Sequence, residues 1–149
     1  MSEKITDSTH SDLKFLDYTV DKMNFKYNHD FKEESVEIQM KADSKISYAK
    51  PNEEKPNLSQ VAVKLSLNVF ENPVENNYPF SLYVEVTGYF EINHPDEKFR
   101  EHLIEKNTLA ILFPYVRSLI STITANSNVQ SLNLPPLNIN KLVNEKKVK

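Results

Sequence analysis

The sequence predicts an α+β fold, in which a four-stranded antiparallel sheet is covered by two C-terminal helices. Four segments alternate apolar and polar residues with a period of two, which is typical of strands that bury one face. Later in the chain, apolar residues recur at the three- and four-residue spacing of an amphipathic helix. The order β-β-β-β-α-α leaves one apolar sheet face, which the helices are expected to cover.

Length and charge exclude several classes of protein. A chain of 149 residues suits one domain, and it has no cysteine for disulfides, thiolate metal sites or thiol nucleophiles. Its 18 basic and 21 acidic residues show no basic excess of the kind that nucleic-acid binding requires. No run approaches the roughly 20 apolar residues of a membrane span, and the polar N-terminus does not resemble a signal peptide. We therefore expect a cytoplasmic protein without direct membrane insertion.

The chain contains a single glycine, Gly88. Loops that cradle phosphate need several glycines so that backbone amides approach the anion closely, and a G-x-S-x-G nucleophile elbow needs two. The sequence therefore excludes a dinucleotide fingerprint, a phosphate-binding loop and this type of elbow.

The first strand is predicted to begin at Leu13, after a flexible N-terminal tail over residues 1–12. Its apolar residues alternate in one phase before Asp21 and in the opposite phase after Lys22, which predicts a β-bulge or a bend between the two halves. The alternating residues are Leu16, Tyr18 and Val20, followed by Met23, Phe25 and Tyr27.

Three further strands follow the same alternation. The second is predicted around residues 36–42, after a loop at residues 28–34, and the third over residues 61–69, after a loop with two prolines at residues 50–59. A turn over residues 72–79 leads into the fourth strand at residues 80–92.

The helical part is predicted in separate pieces. A short helix is expected between Asp96 and Glu105, and then a longer one that Asn107 or Thr108 caps, with a kink or a late start at Pro114. After a nonhelical linker at residues 126–137, Asn138 or Asn140 is expected to cap a short helix through Val143. The domain is then expected to span residues 13–145, followed by a short basic tail at residues 146–149.

No catalytic residue, metal site or cofactor is predicted, and we do not expect an enzyme. The serines and threonines lack a locally paired base, and the paired carboxylates lie in loops. The histidines do not have the spacing of a metal site, so we interpret them as surface residues. They are His10, His29, His94 and His102.

Apolar residues also occur where a simple core does not require them. Leu132, Leu134 and Leu137 lie in the proline-containing linker, and Tyr27 and Phe31 flank the loop after the first strand. Two interpretations remain open: these residues complete the core or a subunit interface, or they form an apolar groove that accepts an extended peptide.

Three stretches of the chain resemble the SecB family of protein-export chaperones. AILFPYVR at residues 110–117 resembles the signature helix of that family. The resemblance continues through LNLPPLNI at residues 132–139 and reaches back to FSLYVEVTGYFEI at residues 80–92.

The resemblance implies a Greek-key sheet, a homotetramer built as a dimer of dimers, and ATP-independent capture of unfolded preproteins (a holdase) for translocation. It also implies a client-binding groove and an assembly surface on the long helix. The implied groove residues are Tyr27, Phe31, Leu132, Leu134, Leu137, Ile139 and Leu142. The implied assembly residues are Leu112, Phe113, Val116, Leu119, Ile120 and Ile123.

The chain departs from the family at the surface that docks the SecA motor ATPase. In the family that surface is an acidic patch on the first and fourth strands, whereas here it contains Lys22, Lys26, Ser81 and Tyr83. Basic residues at these positions weaken an attraction that depends on negative charge. An alternative is therefore a solitary SecB-like chaperone dedicated to one partner, such as an antitoxin, and a third is a structural or ligand-binding protein that reuses the fold.

Overall fold

The structure, a computed structural model, describes the backbone of residues 12–148 and the side chains of residues 12–144. Residues 1–11 of the expected N-terminal tail, and Lys149 of the expected basic tail, lie outside the described residues.

Four antiparallel strands form one sheet in the order β1-β4-β3-β2. β2 pairs with β3 and β3 pairs with β4, whereas β1 lies on the other side of β4. This arrangement is a Greek key. This confirms the predicted α+β fold class. The elements are β1 (Leu13–Tyr27), β2 (Met40–Tyr48), β3 (Leu58–Val69), α1 (Pro73–Asn76), β4 (Phe80–Asn93), α2 (Glu97–Ala125) and α3 (Ile139–Val148).

The bulge predicted in β1 is confirmed. The pairing of β1 with β4 shifts register between Val20 and Lys22, and the extra residue is Asp21. The Asp21 carboxylate accepts hydrogen bonds from the hydroxyls of Thr19 and Thr87 on the outer face of the sheet. A second shift, which the alternation did not reveal, leaves Leu16 unpaired. The two bulges keep Tyr18, Val20 and the later apolar residues of β1 on one face.

The second strand lies later in the chain than predicted. It begins at Met40, which pairs with Val69, the last residue of β3, and it continues through Tyr48. Val36 and Ile38 therefore lie beyond the end of β3 and have no strand to pair with. The predicted start of β2 was wrong because a strand needs a partner as well as an alternating pattern.

One continuous helix replaces the two predicted between residues 96 and 125. The Asp96 carboxylate accepts from the Lys98 N–H at 3.0 Å and caps α2. Thr108 lies inside the helix, where its hydroxyl donates to the Ile104 carbonyl, so the expected cap at Asn107 or Thr108 was wrong. Pro114 lies within α2 as well, and it removes a single backbone donor from a helix that packing stabilises along its length.

The C-terminal helix begins as predicted and extends further. The Asn138 side chain accepts from the Lys141 N–H at 3.1 Å, which makes Asn138 the cap. The helix runs to Val148 rather than Val143, so residues 146–148, expected as a tail, continue it. A four-residue helix, α1, also forms within the predicted turn at residues 72–79.

The core lies between the inner faces of β3 and β4 and the buried side of α2. The alternating residues of both strands are almost fully buried, and Leu112, Val116 and Ile120 of α2 pack over them. The helix α2 and the strand β4 approach each other closely at Gly88. A Cβ atom added there would lie 2.9 Å from both the Leu112 Cδ1 atom and the Phe90 Cε1 atom. The absence of a side chain at this position thus permits the close approach of α2 to β4.

By length and composition, α2 is the one helix of the described chain apolar enough to cross a membrane, with a mean hydropathy of 1.4 over its best 18 residues. A core helix of a soluble protein meets the same criterion. Here its buried side covers the sheet, which accounts for much of that apolar content.

We predict that Gly88→Ala destabilises the fold by about 1–3 kcal/mol, because the buried side chains of Leu112 and Phe90 must shift to admit a methyl group. Urea unfolding of the two proteins, followed by circular dichroism, measures the difference. Ser66→Ala on the outer face of β3 is the matched control and should unfold within about 0.5 kcal/mol of the wild type. Equal stability of Gly88→Ala and the wild type would contradict this packing.

Candidate functional site

A groove of about 830 Å³ opens at the end of the sheet where β2 begins and β3 ends. Its base contains the buried rings of Phe70 and Phe80, and apolar and polar residues line its sides. The lining residues are Tyr27, Phe31, Glu33, Glu34, Ser35, Val36, Ile38, Phe70, Pro79, Phe80, Asn128, Val129, Gln130, Ser131, Leu132 and Asn133.

One wall of the groove is the segment of residues 32–39, which we call the strap. It lies between the end of β1 and the start of β2. Within the part of the chain that the structure describes, no backbone hydrogen bond joins residues 32–38 to another backbone group. The strap therefore presents backbone donors and acceptors beside the apolar side chains of Val36 and Ile38.

The opposite wall is the linker after α2, residues 128–133. Side chains of α2 hold it in place: the Leu132 N–H donates to the Thr124 hydroxyl at 2.8 Å, and the Ser121 hydroxyl donates to the Leu132 carbonyl at 3.2 Å. Asn128 adopts the left-handed backbone conformation, with φ of 59°, where the chain leaves the helix. Side-chain hydrogen bonds to α2 thus hold this wall in place without a neighbouring strand.

Three of the expected groove residues meet in this cavity: Tyr27, Phe31 and Leu132. The other four lie elsewhere. Leu134 and Ile139 are buried in the core, and Leu137 and Leu142 pack against it. Leu137 and Ile139 also border a separate cavity of about 220 Å³ beside Pro114. Leu134 thus belongs to the core, which was one of the two interpretations left open for the linker leucines.

The sequence did not reveal several groove residues. Val36, Ile38 and Phe80 were assigned to strands, and Phe70 was assigned to no element. Asn128, Gln130 and Ser131 carry no apolar signal, and they reach the groove together with Val129 because α2 ends nearby. The clustering of Tyr27 and Phe31 around the loop after β1 was the signal that pointed to this end of the sheet.

The altered docking surface lies on the outer face of the sheet, away from α2. Lys22 pairs with Glu85 across the β1–β4 ladder, and Lys26 pairs with Ser81. The Lys22 ammonium lies 5.8 Å from the centre of the Tyr83 ring. Lys64 of β3 also reaches Glu85, with a distance of 3.5 Å from Nζ to Oε1. Lysines on both sides therefore offset the negative charge of Glu85.

A hydrogen bond ties Tyr83 to Glu85 on this face. The phenol donates to Oε2 of Glu85 at 2.6 Å. That bond lowers the pKa of the Glu85 carboxyl below its ordinary value, and the charges of Lys64 and Lys22 act in the same direction. The pKa of Tyr83 is raised, mainly by burial and then by the bond to Glu85. Glu85 is thus an ionised and already partnered carboxylate.

The expected assembly residues divide into two groups. Leu112, Phe113, Val116 and Ile120 are buried against the sheet of the same chain and have no surface left for a partner. Leu119 and Ile123 are partly buried. An assembly surface on α2 can therefore use only the latter pair together with exposed neighbours such as Tyr115.

Sequence comparison finds a family and its relatives. A family model described as "Preprotein translocase subunit SecB" matches residues 26–149. An uncharacterised protein of Methanocaldococcus jannaschii is 39% identical over 129 residues, which cover 85% of this chain and 79% of the relative. A protein-export protein SecB of Buchnera aphidicola (subspecies Schizaphis graminum) is 33% identical over 125 residues, which cover 71% of this chain and 81% of the relative.

Structural comparison finds the same fold in two solved proteins. One is a SecB-like chaperone of Mycobacterium tuberculosis in complex with a peptide from the HigA1 antitoxin. Its TM-score is 0.58 at 14% identity, and the match covers 91% of this chain and 98% of that one. The other is a protein of unknown function from Streptococcus agalactiae, with a TM-score of 0.55 at 13% identity, covering 83% of this chain and 97% of that one.

Proposed function

The chain belongs to the SecB family, and from this premise we propose that it is an ATP-independent holdase, which binds unfolded preproteins in the groove between the strap and the linker. Family membership supports a chaperone role in protein export. The fold shared with a SecB-like chaperone that binds an antitoxin peptide supports a polypeptide client. The chemistry needed is binding and release, without a catalytic step.

The observation that carries the proposal is a groove with an apolar base and two walls that lie outside helices and strands. Tyr27 and Ile38, which are both exposed, offer apolar surface to client side chains, and the buried rings of Phe70 and Phe80 close the base beneath them. Burial of that surface contributes about 25 cal/mol per Å² before the client's ordering costs are subtracted. Unpaired backbone groups of the strap are placed to pair with an extended client main chain. Neither apolar burial nor main-chain pairing requires a particular client sequence, and a holdase that binds many clients needs interactions of this kind.

We predict that Tyr27→Ser combined with Ile38→Ser lowers affinity for an unfolded client about tenfold, or about 1.4 kcal/mol. Both side chains line the groove and are 46% exposed, so the fold should tolerate their replacement. Fluorescence anisotropy with a labelled, reduced and alkylated protein that cannot refold measures the affinity. Light scattering from a denatured protein diluted without ATP tests the holdase activity itself.

Tyr48→Ser is the matched control for that pair. Tyr48 is 57% exposed and lies on β2 outside the groove, so its replacement should leave client affinity unchanged. Equal losses in the control and in the double variant would refute the groove as the client site. Failure of the wild type to suppress aggregation would refute the general holdase.

We further propose that the chain assembles with copies of itself through the uncovered side of β1 and the neighbouring face of α2. Tyr18, Val20 and Met23 point to the same side of the sheet as the core, yet α2 leaves them exposed. The Tyr115 ring on α2 lies 4.9 Å from the Tyr18 ring and continues the patch. Between Asn107 and Ala125 the single charged residue is Arg117. An apolar patch of this kind on an edge strand is stabilised by a second copy.

Met23→Glu should dissociate the assembly, because it places a carboxylate in the centre of this patch, where Met23 is 56% exposed. Sedimentation velocity should give the mass of four chains for the wild type and a smaller mass for the variant. Asn24→Glu lies next in sequence on the outer face, opposite Tyr83, and should sediment like the wild type. A wild-type protein that sediments as one chain would exclude the proposed assembly.

Export through SecA and service to one dedicated partner remain two distinct readings of the chaperone role. The offset charge of Glu85, with Lys22 and Lys64 beside it, favours the dedicated partner, since these lysines weaken the attraction of this face for a basic partner. The likeness to a chaperone solved with an antitoxin peptide points the same way.

We predict that SecA binds the wild type weakly, and that Lys22→Glu combined with Lys26→Glu raises the affinity about tenfold, because it makes this face acidic. Isothermal titration calorimetry at low salt measures both. Lys45→Glu on the outer face of β2 changes the charge by the same amount per residue, away from β1 and β4, and should have little effect. SecA affinity of the wild type equal to that of ordinary family members would exclude the dedicated-partner alternative.

A further inference from the structure

The turn between β3 and β4 contains three non-glycine residues in the left-handed backbone conformation. They are Phe70 with φ of 57°, Asn72 with φ of 56° and Asn77 with φ of 54°. Asparagine tolerates this region better than most residues, whereas a bulky residue such as Phe70 adopts it at a cost. Strain of this kind persists where surrounding contacts hold it, and it often accompanies a functional site.

Asn77 connects this turn to the strap through its side chain. Its Oδ1 atom accepts from the Lys32 N–H at 2.9 Å, and its Nδ2 group donates to the Lys32 carbonyl at 3.1 Å. Nδ2 also donates to Oε1 of Glu34 at 2.9 Å. The side-chain amide of Asn77 thus accepts from the backbone N–H of Lys32 and donates to its carbonyl, as a residue of a neighbouring strand would.

The same turn holds the other end of the strap. The Phe70 N–H donates to the Gln39 carbonyl at 2.9 Å, immediately before β2 begins. The turn itself is anchored to the end of β1, because the buried Asn28 side chain donates to the carbonyls of Pro73 and Tyr78. Between its two attachments the strap has no described backbone hydrogen bond, so these contacts determine where the groove wall lies.

We propose that Asn77 is a positioning residue for client binding, which holds the strap extended at the distance from the linker that an unfolded segment requires. This inference rests on the proposed function of the groove. A wall that is already ordered spares the client the entropy of ordering it, and affinity rises accordingly. Asn77 orders the strap from outside the groove, since it is not one of the residues that line the groove.

Asn77→Gly tests the proposal, because glycine keeps the left-handed backbone while the three side-chain hydrogen bonds are lost. Asn72→Gly is the matched control: Asn72 has the same backbone conformation, is exposed and makes no capping hydrogen bond with its side chain. Both variants should melt within about 3 °C of the wild type. Any shared effect of the added glycine thus appears in the control as well.

Asn77→Gly should raise amide hydrogen exchange of the Lys32 N–H, the strap donor that Asn77 holds, about tenfold, as measured by NMR, and weaken binding of the alkylated client about tenfold, or about 1.4 kcal/mol. Asn72→Gly should change neither. Asn77→Asp retains the acceptor for the Lys32 N–H but loses both donors and places a carboxylate beside Glu34, so its exchange and affinity should lie between those of the wild type and Asn77→Gly.

Each outcome separates this role from the function of the groove. Unchanged exchange in Asn77→Gly would overturn the attachment of the strap. Faster exchange with unchanged client affinity would overturn the positioning role and leave the groove function standing. A wild type that binds no client would overturn the groove function, and the positioning role with it, even where strap exchange responds to the substitution.

Discussion

The close packing of α2 against β4 is the contact on which the rest of the structure depends. Gly88 lets the Leu112 side chain approach the sheet, and the fully buried residues of β3 and β4 meet the helix along its length. With α2 held there, its C-terminal end at Ala125 lies near the end of β3. The linker that follows must therefore pass beside Phe70 and Phe80, which makes it a wall of the groove.

The groove lies between the strap and the linker, two segments that have no neighbouring strand. β2 stops pairing at Met40, where β3 ends, and the strap continues without a strand beside it. The linker is held by hydroxyls of α2 instead of by a ladder. Backbone without a ladder is costly to bury, and most of the strap is accordingly exposed. The Asn77 amide then replaces the missing strand at one point of the strap.

The two faces of the sheet serve different purposes. The inner face is covered by α2 over β3 and β4 and left open along β1, where an apolar patch is exposed. The outer face has paired charges around Glu85, whose carboxyl is held ionised by Tyr83 and neighbouring lysines. The lysines thus offset part of the negative charge on this face.

The sequence by itself determined the fold class, the strands β3 and β4, the change of phase near Asp21 and a helix capped at Asn138 or Asn140, because each shows in the local pattern of residues. The family likeness likewise came from contiguous motifs. Only the tertiary structure decided where β2 begins, since Val36 and Ile38 alternate like a strand but lie beyond the end of β3. It also decided that α2 continues through Thr108 and Pro114, because packing against the sheet outweighs local breaking signals. The groove lies at the meeting of four separate segments, and its residues share no spacing from which a sequence pattern could identify them.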